Sequence, residues 1–194
     1  VVAAVQRYFP APGDRPGAGV VIAQPDTGYR KHGALPEVRG GWDFIANDDD
    51  PFDETDKGTL QSPSHGTRTG SVVVSPTEFR LTPSSAAFVS GVAPFATWMP
   101  LRVTNRVVLI DRAEYDIANV TSAIRHASGG NRTFVKQQAD VISMSLGGTP
   151  NAALRDALAE AERNGVIVLA AAGNQVKVVA WPAQYRTVIS VTGT

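Results

Sequence analysis

The 194 residues carry 18 basic and 18 acidic side chains, 43% apolar residues and no cysteine. That balance describes a soluble globule long enough to bury its own core, and it excludes a disordered tail, a basic nucleic-acid surface, disulfides and thiolate metal sites. No apolar run approaches the ~20 residues needed to cross a bilayer, and the opening Val1-Val2 reads as the start of a processed product rather than a signal sequence.

Residues 1–18 are rich in Pro, Gly and Arg and read as a surface arm. Gly19-Val20-Val21-Ile22-Ala23 is a continuous apolar run, the pattern of a strand buried on both faces. Pro25 lacks an amide hydrogen and is expected to end that ladder. Asp26 then sits at the strand's carboxyl end, the edge where open parallel sheets build their sites. The triplet Asp26-Thr27-Gly28 has two functional readings. An aspartic protease needs a second such triplet and an all-β fold, whereas here the triplet occurs once and the rest of the chain alternates strand and helix patterns. The other reading is a buried carboxylate that holds a histidine in one tautomer. A turn-forming aspartate is the plain structural alternative.

Residues 39–63 form a polar connection that contains Asp48, Asp49, Asp50, Asp53, Glu54 and Asp56. Oxygen-rich loops hold calcium, but the spacing and turn glycine of a helix-loop-helix site are missing, so a solvated acidic loop is the expectation. In Ser64-His65-Gly66-Thr67-Arg68-Thr69-Gly70 the glycine after His65 leaves the imidazole open to an approaching substrate backbone. That makes His65, rather than His32 or His126, the candidate proton shuttle. The valines at 72–74 suit a strand by propensity, yet so short an apolar run does not separate a strand from a buried helix.

Residues 76–90 read as a loop and 96–103 as an extended segment. From Glu114 to His126, the residues Ile117, Val120 and Ile124 recur at helical intervals, ending at Gly129-Gly130. Asp140 to Leu146 is a buried strand closed by Gly147-Gly148. Thr149 and Pro150 are placed as N-cap and first-turn proline of a helix whose core stripe is Leu154, Ala157, Leu158 and Ala161 and whose end is Asn164-Gly165. Val166 to Ala170 is strand again, which makes a right-handed parallel crossover. It stops at Ala171-Ala172-Gly173-Asn174, where a side-chain amide could donate to a developing oxyanion or merely form a turn. A last strand covers 187–191.

Four blocks, Asp26-Thr27-Gly28, His65-Gly66-Thr67, Ser145-Leu146-Gly147-Gly148 and Ala172-Gly173-Asn174, stand in the order found in the subtilisin-like serine proteases. The linking segments Gly91-Val92-Ala93-Pro94 and Trp181-Pro182-Ala183 also resemble that family's, so the similarity runs from about residue 19 onward. The resemblance implies an α/β, three-layer subtilisin-like fold with a mostly parallel central sheet flanked by helices and truncated at the C-terminus. Residues 1–18 would be an arm and 19–194 a partial catalytic domain. It implies a helix, not a strand, after His65. It also implies a serine endopeptidase in which Asp26 orients His65, His65 acts as general base and Asn174 stabilises the oxyanion. Ser145, Leu146 and Gly147 would pair with an extended polypeptide substrate by strand addition. No cofactor is needed for catalysis; structural calcium is implied near Asp43 and Asp48, and export by analogy.

Two departures stand out. Arg68-Thr69 replaces the second histidine and the valine-alanine pair that the family usually carries, which bears on the packing of the helix. The nucleophile is the larger matter: no serine here has a glycine two residues before it, and Ser145 belongs to the binding wall, so the serine is expected beyond Thr194. The alternative is a non-catalytic remnant that binds extended peptides. A nucleotide-binding domain is disfavoured, because no glycine-rich phosphate loop is present.

Overall fold

The computed structural model describes residues 7–9, 11, 13–55, 62–76, 79–80, 88–109, 114–129, 138–173 and 179–193. Among them the chain runs β1 (Val21–Asp26), β2 (Trp42–Asp43), α1 (His65–Val74), β3 (Phe79–Arg80), β4 (Phe88–Val89), β5 (Thr97–Arg102), β6 (Val108–Leu109), α2 (Glu114–Ala127), β7 (Val141–Met144), β8 (Gly147–Gly148), α3 (Ala152–Arg163), β9 (Ile167–Ala171) and β10 (Ile189–Val191). Six strands form one sheet in the order β10-β9-β7-β1-β5-β2, and each neighbouring pair in it is parallel. This is the α/β architecture that the resemblance implies. The connections run to one side of β1 and then to the other, so the switch point lies at the carboxyl ends of β1 and β7.

β1 runs past its expected stop. It includes Pro25 and stays in register with β5 through Asp26, opposite Arg102. Peptide groups alternate along a strand. Val21 receives the Asp140 amide at 2.9 Å on the β7 side, while Val20 and Asp26 receive the Thr97 and Val103 amides at 2.8 and 2.9 Å on the β5 side. The amide hydrogen that Pro25 lacks would therefore face β7, and the β7 ladder ends at Ala23 opposite Ile142. Proline stops one ladder and leaves the other intact.

The same alternation divides the core. Val21 and Ala23 face a large apolar cluster with Met99, Leu101, Ile142, Met144, Val168 and the inward stripes of α2 and α3, all under 5% exposed. On the opposite side Ile22 packs with Val74, Ala96 and Trp98 beneath α1. The α3 stripe is the expected one: Leu154, Ala157, Leu158 and Ala161 are buried. Its cap is not. Asn151, extended at φ −146° and ψ 135°, accepts the Leu154 amide at 3.1 Å. Thr149 lies two residues too early for that geometry, because β8 ends at Gly148 and the chain is still leaving the strand. The Tyr185 hydroxyl fixes the cap by accepting the Asn151 amide at 2.8 Å and donating to its carbonyl at 2.7 Å.

Candidate active site

On the α1 face, β1 presents Ile22, Gln24 and Asp26, and α1 turns His65, Gly66, Thr69 and Gly70 toward them. The helix can come this close because of its glycines. A Cβ on Gly66 would lie 2.1 Å from the Gly28 carbonyl oxygen and 3.2 Å from Asp26 Cβ, and one on Gly70 would lie 2.9 Å from both Gln24 Oε1 and Trp98 Cζ2. Gly66 therefore serves helix-to-strand contact. It is buried where α1 meets β1.

Close approach brings Asp26 and His65 together across 39 positions: Nδ1 of the ring stands 2.8 Å from Oδ1 of the carboxylate. The carboxylate is 1% exposed and the imidazole 21%, so the acid is sealed and the base reaches solvent. Asp26 Oδ1 also accepts the Thr27 amide at 2.7 Å, and Oδ2 lies 3.1 Å from the Thr69 hydroxyl. A carboxylate oxygen at this distance from Nδ1 favours the tautomer with the proton on Nδ1 and leaves Nε2 as the ring nitrogen free to accept a hydrogen bond.

Asp53 does not belong to a solvated loop. It is fully buried, accepting the Thr27 hydroxyl at 3.0 Å and the Ser64 amide at 2.6 Å on Oδ2, and the Thr55 amide at 2.8 Å on Oδ1. Its side chain thus ties the residue after Asp26 to the residue before His65. Arg30 closes over the same segment through the carbonyls of Asp53 and Thr55, at 3.0 and 2.7 Å. Nothing in the run of acids distinguishes Asp53 from its neighbours, since only the tertiary contacts bury it. Gln24 was equally missed, although it left a signal: a polar residue two positions before Asp26 shares its face of the strand.

The other expected site residues fare differently. Asn174 lies outside the described residues. Ser145 is half-buried, and Leu146, 1% exposed, buries its side chain in the large core, so only its backbone borders the rim. The Gly147 amide donates to the Val107 carbonyl at 3.0 Å, within a parallel pairing of β6 with β8, and the Gly148 amide donates to the Trp181 carbonyl at 2.7 Å. The edge expected to accept a substrate strand is paired with the chain itself.

The calcium expectation meets a poor fit at Asp43 and Asp48. Asp43 Oδ2 pairs with the buried Arg102 guanidinium at 2.6 Å, and its Oδ1 accepts the Ile45 and Ala46 amides at 2.7 and 3.0 Å. Asp48 Oδ1 accepts the Asp50 amide at 3.0 Å. Arg102 supplies the positive charge there, and among the described residues no group of three or more His, Cys, Asp or Glu could hold a metal ion. A cavity of about 620 Å³ lined by Asn151, Arg155, Trp181 and Tyr185 contains neither Asp26 nor His65. No helix of the described residues is long and apolar enough to cross a membrane.

A doubly wound parallel sheet with a sealed carboxylate and a half-open imidazole at its switch point is the class of protein these observations define. The chain belongs to the subtilase family, whose Peptidase S8 model matches residues 17–194. It is 33% identical to thermitase of Thermoactinomyces vulgaris over 183 residues, 92% of this chain and 56% of thermitase. It is 28% identical to subtilisin E of Bacillus subtilis strain 168, over 90% of this chain and 41% of that protein. A solved protease structure from Pseudoalteromonas arctica PAMC 21717 superposes with a TM-score of 0.75 at 29% identity, covering 93% of this chain and 57% of that one. The chain thus spans about half the length of the curated relatives it matches.

Proposed function

We propose that the chain carries the acid and base of a serine endopeptidase whose nucleophilic serine lies beyond Thr194 in the full gene product. The observation that carries this reading is the 2.8 Å Asp26–His65 contact at the sheet's switch point, sealed on the acid side and open on the base side. His65 Nε2 takes the serine proton as Oγ attacks the scissile carbonyl and returns it to the departing amine, while Asp26 stabilises the imidazolium through Nδ1–H. Asn174 is assigned the oxyanion. Ser145, Leu146 and Gly147 are assigned the extended polypeptide backbone, and for Gly147 this requires its amide to leave the Val107 carbonyl first. Family membership and the likeness to thermitase and subtilisin E support the same reading, and no serine of the sequence has a glycine two residues before it. Export is a further part of the proposal and rests on resemblance.

The test is a fluorophosphonate probe applied to the full gene product, with peptide hydrolysis measured in parallel. Labelling of one serine downstream of residue 194, lost in His65→Ala, is the expected result. An unlabelled, folded full-length protein that still binds peptides would replace this reading with the non-catalytic one.

A further inference from the structure

We propose that Thr69 is a positioning residue for the Asp26–His65 pair, holding the carboxylate oxygen that faces away from the imidazole; this rests on the peptidase reading above. The argument begins at Trp98. Its indole N–H can only donate, and it lies 2.8 Å from Gln24 Oε1. That contact fixes the amide of Gln24, so Nε2 is the atom 2.7 Å from Thr69 Oγ1 and 3.0 Å from the Gly66 carbonyl. Thr69 Oγ1 must then accept from Gln24, which leaves its one proton for another partner. Two strong acceptors are in range: Asp26 Oδ2 at 3.1 Å and the His65 carbonyl at 3.0 Å. The carbonyl is four residues back in the helix and already belongs to the helical ladder. The carboxylate is 1% exposed, and among the described residues Thr69 is the donor that reaches its Oδ2. A buried anion left with a bare oxygen is costly, so the proton goes to Asp26.

The bonds form one directed chain, from the Trp98 indole through Gln24 and Thr69 to Asp26, met from the other side by His65. Each link polarises the next, and together they hold the carboxylate by both oxygens so that it cannot turn away from Nδ1. The chain also accounts for two oddities of the sequence. Gln24 is 3% exposed in a central strand where an apolar residue would be expected, and Thr69 stands within the replaced Arg68-Thr69 block. The Arg68 side chain is exposed and, among the described residues, donates to the Pro63 carbonyl alone, at 3.4 Å, so the consequential half of that replacement is Thr69.

Thr69→Val and Thr69→Ala remove the hydroxyl, and Thr69→Ser keeps it. In the full gene product both hydroxyl-free variants should lose about ten- to a hundredfold in kcat, the size of one hydrogen bond to a charged group, with KM within about twofold. Thr69→Ser should recover most of it. In the same full-length protein the low-field proton resonance of His65 Nδ1–H should move in the Val and Ala variants and return in Ser; Ala guards against a misfolded Val variant. An Nδ1–H resonance that is the same in all four proteins, or a Ser variant that behaves like Val, would overturn the assignment. If the wild-type full-length protein hydrolyses no peptide, the peptidase reading falls, while the resonance still decides whether Thr69 holds Asp26.

Discussion

Against α2 and α3 the sheet shows Val21, Ala23, Met99, Leu101 and Ile142, whereas against α1 it shows Ile22, Gln24, Asp26 and Trp98. Both faces are buried, but they are held differently. The first relies on non-directional apolar packing, which tolerates adjustment so long as volume is kept. The second relies on directed hydrogen bonds between β1 and α1, which fix where each atom sits and tolerate little. A site that must hold a carboxylate and an imidazole within hydrogen-bonding distance is built on the second kind of face, and the large core on the first carries most of the stability.

Four changes would break or sharpen that contrast. The largest effect is expected from Asp26→Asn, which keeps the shape of the polar face but removes the charge and the preferred tautomer. Peptidase activity of the full gene product should drop about 10⁴-fold, measured as kcat, with the fold retained by circular dichroism. Next is Leu158→Ala, in the centre of the apolar face at 0% exposure. Denaturant unfolding should show a loss of about 2–5 kcal/mol, yet the His65 Nδ1–H resonance should stay in place. A resonance that moved would mean that the two faces are coupled more tightly than their contacts indicate.

Gly66→Ala tests the polar face from its packing side. Because the new Cβ would stand 2.1 Å from the Gly28 carbonyl oxygen, backbone rather than a flexible side chain, α1 must lift away from β1. A loss of about 1–3 kcal/mol is expected, and, unlike Leu158→Ala, it should come with a disturbed Asp26–His65 contact seen in the same resonance.

The smallest effect concerns His126, which is 7% exposed and packed on Trp42 and Phe44 with ring centroids 6.3 and 5.7 Å away. Burial pushes its pKa below the ordinary value. Below about pH 6.5 the unfolded chain takes up a proton that the folded chain refuses, so this contribution to stability is present above that pH and is lost as the pH falls toward the folded value. Unfolding midpoints compared between pH 7.5 and 5 should decline less steeply in His126→Phe than in the wild type. Equal slopes would show that His126 does not carry the effect.

Much of the large core was legible from spacing alone. The stripe Leu154, Ala157, Leu158 and Ala161 follows from a 3.6-residue period, and the strands at 141–144 and 167–171 from short apolar runs with glycine stops. The polar face was less legible. Val72-Val73-Val74 favours a strand locally and became the end of α1 because Val74 packs under Trp98 and Ile22. Asp53 reads like any acid in its cluster until Thr27, Thr55 and Ser64 surround it. Pro25 was read as a stop for a whole strand, when only the neighbour on one side needed its missing hydrogen.

The sequence by itself determined the alternation of strands and helices, the four ordered blocks and the choice of Asp26 and His65 as the candidate acid–base pair. Those are properties of composition and period, which a linear reading can count. Only the tertiary structure decided which carboxylate oxygen meets the ring, that Gly66 packs α1 against β1, that β6 occupies the rim beside Gly147, and that Trp98, Gln24 and Thr69 point in one direction toward Asp26. The physical reason is that a hydrogen bond depends on tenths of an ångström and on which atom donates, and residues 26, 69 and 98 acquire those relations only when two strands and a helix far apart in sequence are pressed together.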